Sequence, residues 1–371
     1  MLRHRALPVL VAAAVLAGAA CSGAGSAVPG SGADAAGAPT STVPDRWPGP
    51  DWPTAAPEEV GLDPAALAAL DAELGARRTS CLVVVKDGLL VHEAAWDGTG
   101  TETDHEAFSA SKSVTSTLVG IAEAQGLLDI DQPASDVLTE WKGTPSETVT
   151  IRNLLSNDSG RYYDPVTDYR GMAIEAADKT AFALGLSQQH PPGTHWEYNN
   201  SAIQTLEAVL ERATGTDMAA FAQRELFEPL GMTAEIRRDA AGNPLAFMGV
   251  QASCRDLARF GYLFLRGGRW GDDQLVPAAW VEQATRSSQD LEPQYGLLWW
   301  VNPPQDPSWP SLPPDAFVAH GLGGQIVLVV PSWDLVVTRM GMGESEQAGG
   351  RGDLVDELGR RLRAAGVDGA G

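Results

Sequence analysis

Hydrophobic positions change their spacing along the chain, and each change marks a different kind of element. Leu67, Leu70 and Leu74 recur at helical spacing behind Asp63-Pro64, a capping residue followed by one suited to a first turn. Cys81 to Lys86 and Leu89 to Glu93 are two apolar runs about Asp87-Gly88, the pattern of a tight β-hairpin. From Ser109 to about Leu265 the spacing is mostly helical. Val114, Leu118 and Ile121 line one face of a helix that Gly126 stops. Ile203, Leu206, Val209 and Leu210 line another that ends at Thr214-Gly215, and further helices are predicted over Asp217 to about Phe227 and Asp256 to about Leu265. The chain then returns to strands: Gln325 to Val330 runs out, Pro331 to Asp334 turns, and Leu335 to Met340 runs back. An amphipathic helix over about Asp353 to Ala364 closes the chain. The pattern predicts an α+β fold, an α/β sandwich. One antiparallel sheet is built from both chain ends and flanked by helices, with an inserted, mostly helical lobe at about 109–265. The cleft between sheet and lobe is the expected site of function.

The first residues do not belong to that pattern. Arg3, His4 and Arg5 precede an apolar run from Leu7 to Ala20, shorter than the roughly 20 residues that span a bilayer. Gly18, Ala19 and Ala20 lead into Cys21, so residues 1–21 read as an export signal. It resembles a bacterial lipoprotein signal, in which Cys21 is lipidated; Gly18 stands where such signals usually carry Leu, and plain secretion is the alternative. Residues 22–45 are rich in Ala, Gly, Ser, Pro and Thr and read as a flexible tether, leaving 46–371 as the folded domain.

Composition excludes several functions. Acidic residues outnumber basic ones 48 to 26 over 371 residues, a formal charge of −22, which repels phosphate backbones and argues against nucleic-acid partners. Contact with membrane is expected only through a lipid at Cys21. Only four residues are Lys: Lys86, Lys112, Lys142 and Lys179. Three cysteines cannot build a disulfide scaffold, and Cys81 and Cys254 are expected as two buried free thiols, with a bridge between them as the alternative. With no Cys-x-x-Cys, no His-Glu-x-x-His and no phosphate-binding glycine loop, neither metal nor cofactor is expected.

Three short motifs carry candidate chemistry. Ser109-Ala110-Ser111-Lys112 places a hydroxyl and an amine three residues apart at a helix start, where they share a face. Serine is a poor nucleophile at neutral pH and needs such a neighbouring base, while a helix N-terminus offers N–H groups to a developing oxyanion. The bland reading is a small-residue helix start with a solvated Lys. Tyr198-Asn199-Asn200 follows Pro191-Pro192-Gly193 on a loop; a turn with Asn200 as helix cap is its bland reading. His320-Gly321-Leu322-Gly323-Gly324 opens the Gln325 strand, and glycines at a strand edge admit a ligand or form a simple bulge.

In that order, and with the flanks Phe108 to Ser116, Ile151 to Gly160 and Pro192 to Tyr198, the chain resembles the serine β-lactamase and penicillin-binding superfamily from about Pro57 to Met340. The class C-like branch, with its esterases, DD-peptidases and nylon-oligomer hydrolases, is the nearest in pattern. The resemblance implies a β-lactamase/transpeptidase-like fold and an acyl hydrolase. In it Ser109 is acylated, Lys112 takes its proton together with Tyr198, and Asn200 bonds substrate or Lys112. The Ser109 N–H and that of Leu322 or Gly323 would form the oxyanion hole. The superfamily's Lys-Thr-Gly is absent, with His320 or Gly321 in its place, and so is Ser-Asp-Asn. The expected substrate is a small or cell-wall-derived ester or amide. The alternatives are a β-lactamase or DD-peptidase and an acyl-binding sensor that does not turn over. Taken singly, Tyr162, Tyr163, Tyr169, Trp196 and His195 are expected in surface or core roles.

Overall fold

The computed structural model describes residues 46–96, 98, 100–343 and 353–368. The export segment, Cys21 and the tether lie outside the described residues. No helix among the described residues is long and apolar enough to cross a membrane.

A six-stranded antiparallel sheet forms the centre. Its strands are β1 (Thr79–Lys86), β2 (Leu89–Ala95), β3 (Trp300–Val301), β4 (Phe317–Gly321), β5 (Gln325–Val330) and β6 (Leu335–Gly341). Their spatial order is β2-β1-β6-β5-β4-β3, so the first and last strands of the chain meet in mid-sheet, with Cys81 opposite Met340 and Lys86 opposite Leu335. The β1–β2 turn is tight because Asp87 (φ 55°) and Gly88 (φ 76°) both take the left-handed conformation that such hairpins need. Every residue of β4, β5 and β6 is buried, as expected of a sheet covered on both faces.

The principal helices are α1 (Pro64–Ala76), α2 (Ser111–Ala124), α3 (Asn200–Thr214), α4 (Cys254–Leu265) and α5 (Asp353–Ala364). α1 and α5 pack together, and α1 lies against β1. α4 packs on β1, β5 and β6. It therefore belongs to the sheet's own layer, not to the helical middle in which its sequence position had placed it. Its close approach requires Gly261: a Cβ there would lie 2.7 Å from Val336 and 2.8 Å from Val327. The mostly helical region between α2 and α4 also carries two short strands, Glu235–Ile236 and Val250–Ala252, which form a small three-stranded sheet with His105–Glu106 from before α2.

The expectation of two free thiols is corrected by this packing. Cys81 on β1 and Cys254 at the start of α4 face each other with Cα atoms 6.3 Å apart and form a disulfide across 173 residues. Sequence separation hides the pairing; only the docking of α4 on β1 brings the two side chains together.

Candidate active site

Ser109 sits in a single turn, Phe108–Ala110, immediately before α2. Phe108 holds φ 46°, a left-handed conformation costly for a bulky residue, and so marks a turn whose shape the surroundings impose. One turn later Lys112 is 1% exposed, and its Nζ lies 2.9 Å from Ser109 Oγ. The same nitrogen donates to the Phe247 carbonyl at 2.9 Å. Burial pushes the Lys112 amine down to about 7, while the charge of Asp168 opposes part of that fall.

The Phe247 carbonyl is itself held. Fully buried Gln204 on α3 accepts from the Ala246 N–H (3.0 Å) and donates to the Pro244 carbonyl (2.9 Å), and the Thr115 hydroxyl donates to the Ala246 carbonyl at 2.7 Å. Two helices thus clamp the segment that faces the amine.

Tyr198 presents its ring to Lys112, with Nζ 4.8 Å from the ring centroid. Trp300 stacks on that ring (5.9 Å, 20° between planes), and Tyr295 meets both edge-on. These two rings pack against Tyr198 and hold its ring in place. Asn199, not Asn200, caps α3, accepting from the Ala202 N–H at 2.8 Å. This frees Asn200, the first residue of the helix, and its amide nitrogen donates to Asp168 at 2.8 Å.

The third motif is the β4–β5 hairpin. Gly323 (φ 82°) and Gly324 (φ 86°) make its turn. Gly321 ends β4 against the serine turn: a Cβ there would stand 2.3 Å from the Ala107 oxygen and 3.1 Å from the Ala110 nitrogen. That contact holds the strand edge against the turn that carries Ser109, and Leu322, the next residue, lines the same cavity as Ser109. Gly323 does not line the cavity, and its carbonyl accepts from Arg339 Nη1 at 2.8 Å. Arg339 also donates to the carbonyls of Gly324, Gly341 and Arg77, so this buried cation braces the hairpin from behind.

These parts meet around a cavity of about 300 Å³. Ser109, Tyr198, Asn200, His320 and Leu322 line it with Phe108, Tyr169, Ala173, Ile174, Phe247, Met248, Trp300 and Gly321. No Asp, Glu, Lys or Arg is among these lining residues. Of the polar residues expected in surface or core roles, Tyr169 is the exception, since it lines the cavity.

The sequence profile of the family described as Beta-lactamase matches residues 67–357. The chain belongs to that family. It is 25% identical over 318 residues to the 6-aminohexanoate-dimer hydrolase of Paenarthrobacter ureafaciens, covering 77% of this chain and 79% of that protein. It is 29% identical over 209 residues to esterase EstB of Burkholderia gladioli, covering 47% and 53%. Among solved structures, a Bacillus anthracis protein assigned as a 6-aminohexanoate-dimer hydrolase matches with a TM-score of 0.69 at 20% identity, covering 86% of this chain and 89% of that one. This last likeness is one of fold. The chain is therefore a serine hydrolase of the β-lactamase-related family, acting on ester or amide bonds.

Within that family the site has contributors that sequence reasoning missed. Asp168, Phe247 and Trp300 come from segments distant in the chain. Phe247 meets Lys112 through a main-chain atom, which no residue pattern signals. Asp168 carries the only local clue, an acid in a stretch with three tyrosines, and that clue is weak.

Proposed function

We propose that the chain is an exported acyl hydrolase that forms its acyl-enzyme on Ser109 and prefers neutral, apolar esters or amides. Neutral Lys112 takes the Ser109 proton, aided by Tyr198, as Oγ attacks the carbonyl carbon. The developing oxyanion lies between the Ser109 and Leu322 N–H groups. The alcohol or amine leaves with the transferred proton, and water then releases the acid by the same route.

The observation that carries the substrate class is the cavity lining, which is mostly aromatic and aliphatic, with Ser109, Asn200 and His320 as its other polar members and no Asp, Glu, Lys or Arg. β-Lactams and D-Ala-D-Ala peptides carry a carboxylate near the reacting carbonyl, and a hydrogen bond to a charged group is worth about 1.5–3 kcal/mol. Without a cation to receive it, such substrates lose about tenfold to hundredfold in rate. Arg339 is committed to the hairpin carbonyls and does not line the cavity. The Cys81–Cys254 disulfide supports a place outside the cytoplasm, where such bonds persist. The relatives' amide and ester substrates support the bond class.

Comparing p-nitrophenyl butyrate with nitrocefin on one preparation tests the reading. The ester is expected to exceed nitrocefin in kcat/KM by about a hundredfold. Equal or faster nitrocefin turnover rejects it and favours a β-lactamase. A burst of one product without turnover favours an acyl-binding sensor.

A further inference from the structure

Asp168 lies on the π-helical segment Val166–Glu175, which also carries Tyr169 of the cavity wall. It is 1% exposed. Its carboxyl oxygens accept four hydrogen bonds, all from the first two residues of α3: Asn200 N (3.3 Å), Asn200 Nδ2 (2.8 Å), Ser201 N (2.7 Å) and Ser201 Oγ (2.7 Å). Two of these satisfy backbone N–H groups that a helix start leaves open, and the helix dipole favours negative charge there. A purely structural role would end at that point. Two facts extend it: one of the four donors is the side chain of Asn200, which lines the cavity, and Asp168 acts electrostatically on buried Lys112.

We propose that Asp168 is a positioning residue of the active centre, which holds the Asn200 side chain at the cavity wall and whose negative charge acts on the Lys112 amine. It touches neither substrate nor Ser109 and acts through these two partners. The other titratable groups facing this region are Tyr163 before the π-helical segment, Tyr169 beside Asp168, Glu197 in the loop before Tyr198, Tyr198 before α3, and His320 on β4 across the cavity. Asp168 is the one whose charge bears on Lys112, and it favours the protonated amine. Removing that charge therefore moves the amine to a still lower pKa. The neutral base then persists to lower pH, so the acid limb of activity moves down even as the rate falls. Loss of a structural cap alone would lower the rate without moving the limb in that direction.

This inference rests on Lys112 acting as the base, and the test separates the two. With four lysines in the chain, ¹³Cε-lysine NMR resolves Lys112, assigned by its loss in Lys112→Arg. Wild type is expected to titrate near 7. Asp168→Asn is expected to titrate lower by about half a unit or more, with kcat down at least about tenfold and KM within about threefold. A wild-type titration near 10 overturns the base assignment and this proposal with it. A wild-type value near 7 that Asp168→Asn leaves in place, or an unchanged kcat, overturns the Asp168 proposal alone. If Asp168→Asn does not fold, Ser201→Ala decides. It removes one donor to Asp168 outside the cavity, and kcat is expected to fall severalfold at steady KM; wild-type kcat overturns the proposal.

Discussion

A buried amine with a pKa pushed down to about 7 is half neutral at physiological pH, which is the condition a general base needs. The sign of its pH dependence follows. Below pH 7 Lys112 is increasingly an ammonium, with no lone pair for the Ser109 proton. kcat/KM for a neutral ester is therefore expected to fall about tenfold per unit as pH drops below 7, and to level off above it. A profile flat from pH 5 to 8 would contradict Lys112 as the base. At this scale Ser109, Lys112 and Tyr198 were legible through the family resemblance of their motifs and flanks, since each short spacing is weak alone, and the fold sets Lys112 Nζ beside both Ser109 Oγ and the Tyr198 ring. Asp168, Phe247 and Trp300 were not, because their contributions depend on a buried contact, a backbone carbonyl and a stacked ring. Asn200 was legible as a residue of interest but not in its partner: its neighbour Asn199 takes the cap.

The β4–β5 hairpin shows how an element rather than a side chain can set a site. Gly321 lets the strand edge close on the serine turn, and any Cβ there meets the Ala107 oxygen at 2.3 Å. Gly321→Ala must push the hairpin and the Leu322 backbone away from Ser109. kcat/KM is expected to fall by about a hundredfold or more, the scale of losing one oxyanion donor, while Ser109 remains reactive to small probes. A Gly321→Ala variant with near-wild-type kcat/KM would show that this edge does not serve the oxyanion. Most elements were legible from period: the hairpin at 79–95, strands at 325–330 and 335–341, and helices at 64–76 and 200–214 lie close to where the pattern predicts them. What the pattern could not tell was the layer. α4 reads as one more helix of the middle region, yet its apolar face and Gly261 fit it to the sheet.

At the scale of the molecule, the sheet joins the two ends of the domain, and the Cys81–Cys254 disulfide ties β1 to α4 across 173 residues. Closing so long a loop restricts the unfolded chain, a stabilisation of about 2–5 kcal/mol. Replacing both cysteines by Ala is expected to lower Tm by about 5–15 °C, and native wild-type protein should show no thiol reactive to an alkylating agent at either position. Free thiols at Cys81 and Cys254 in protein recovered from outside the cell would contradict the bond and weaken the case for export. The most direct measurement addresses Ser109. A fluorophosphonate should add a single label to the folded protein, peptide mass spectrometry should place it on Ser109, and ester turnover should disappear in step with labelling. Ser109→Ala should show neither label nor turnover. A label on another residue, or turnover retained by Ser109→Ala, would contradict a serine acyl-enzyme at this position.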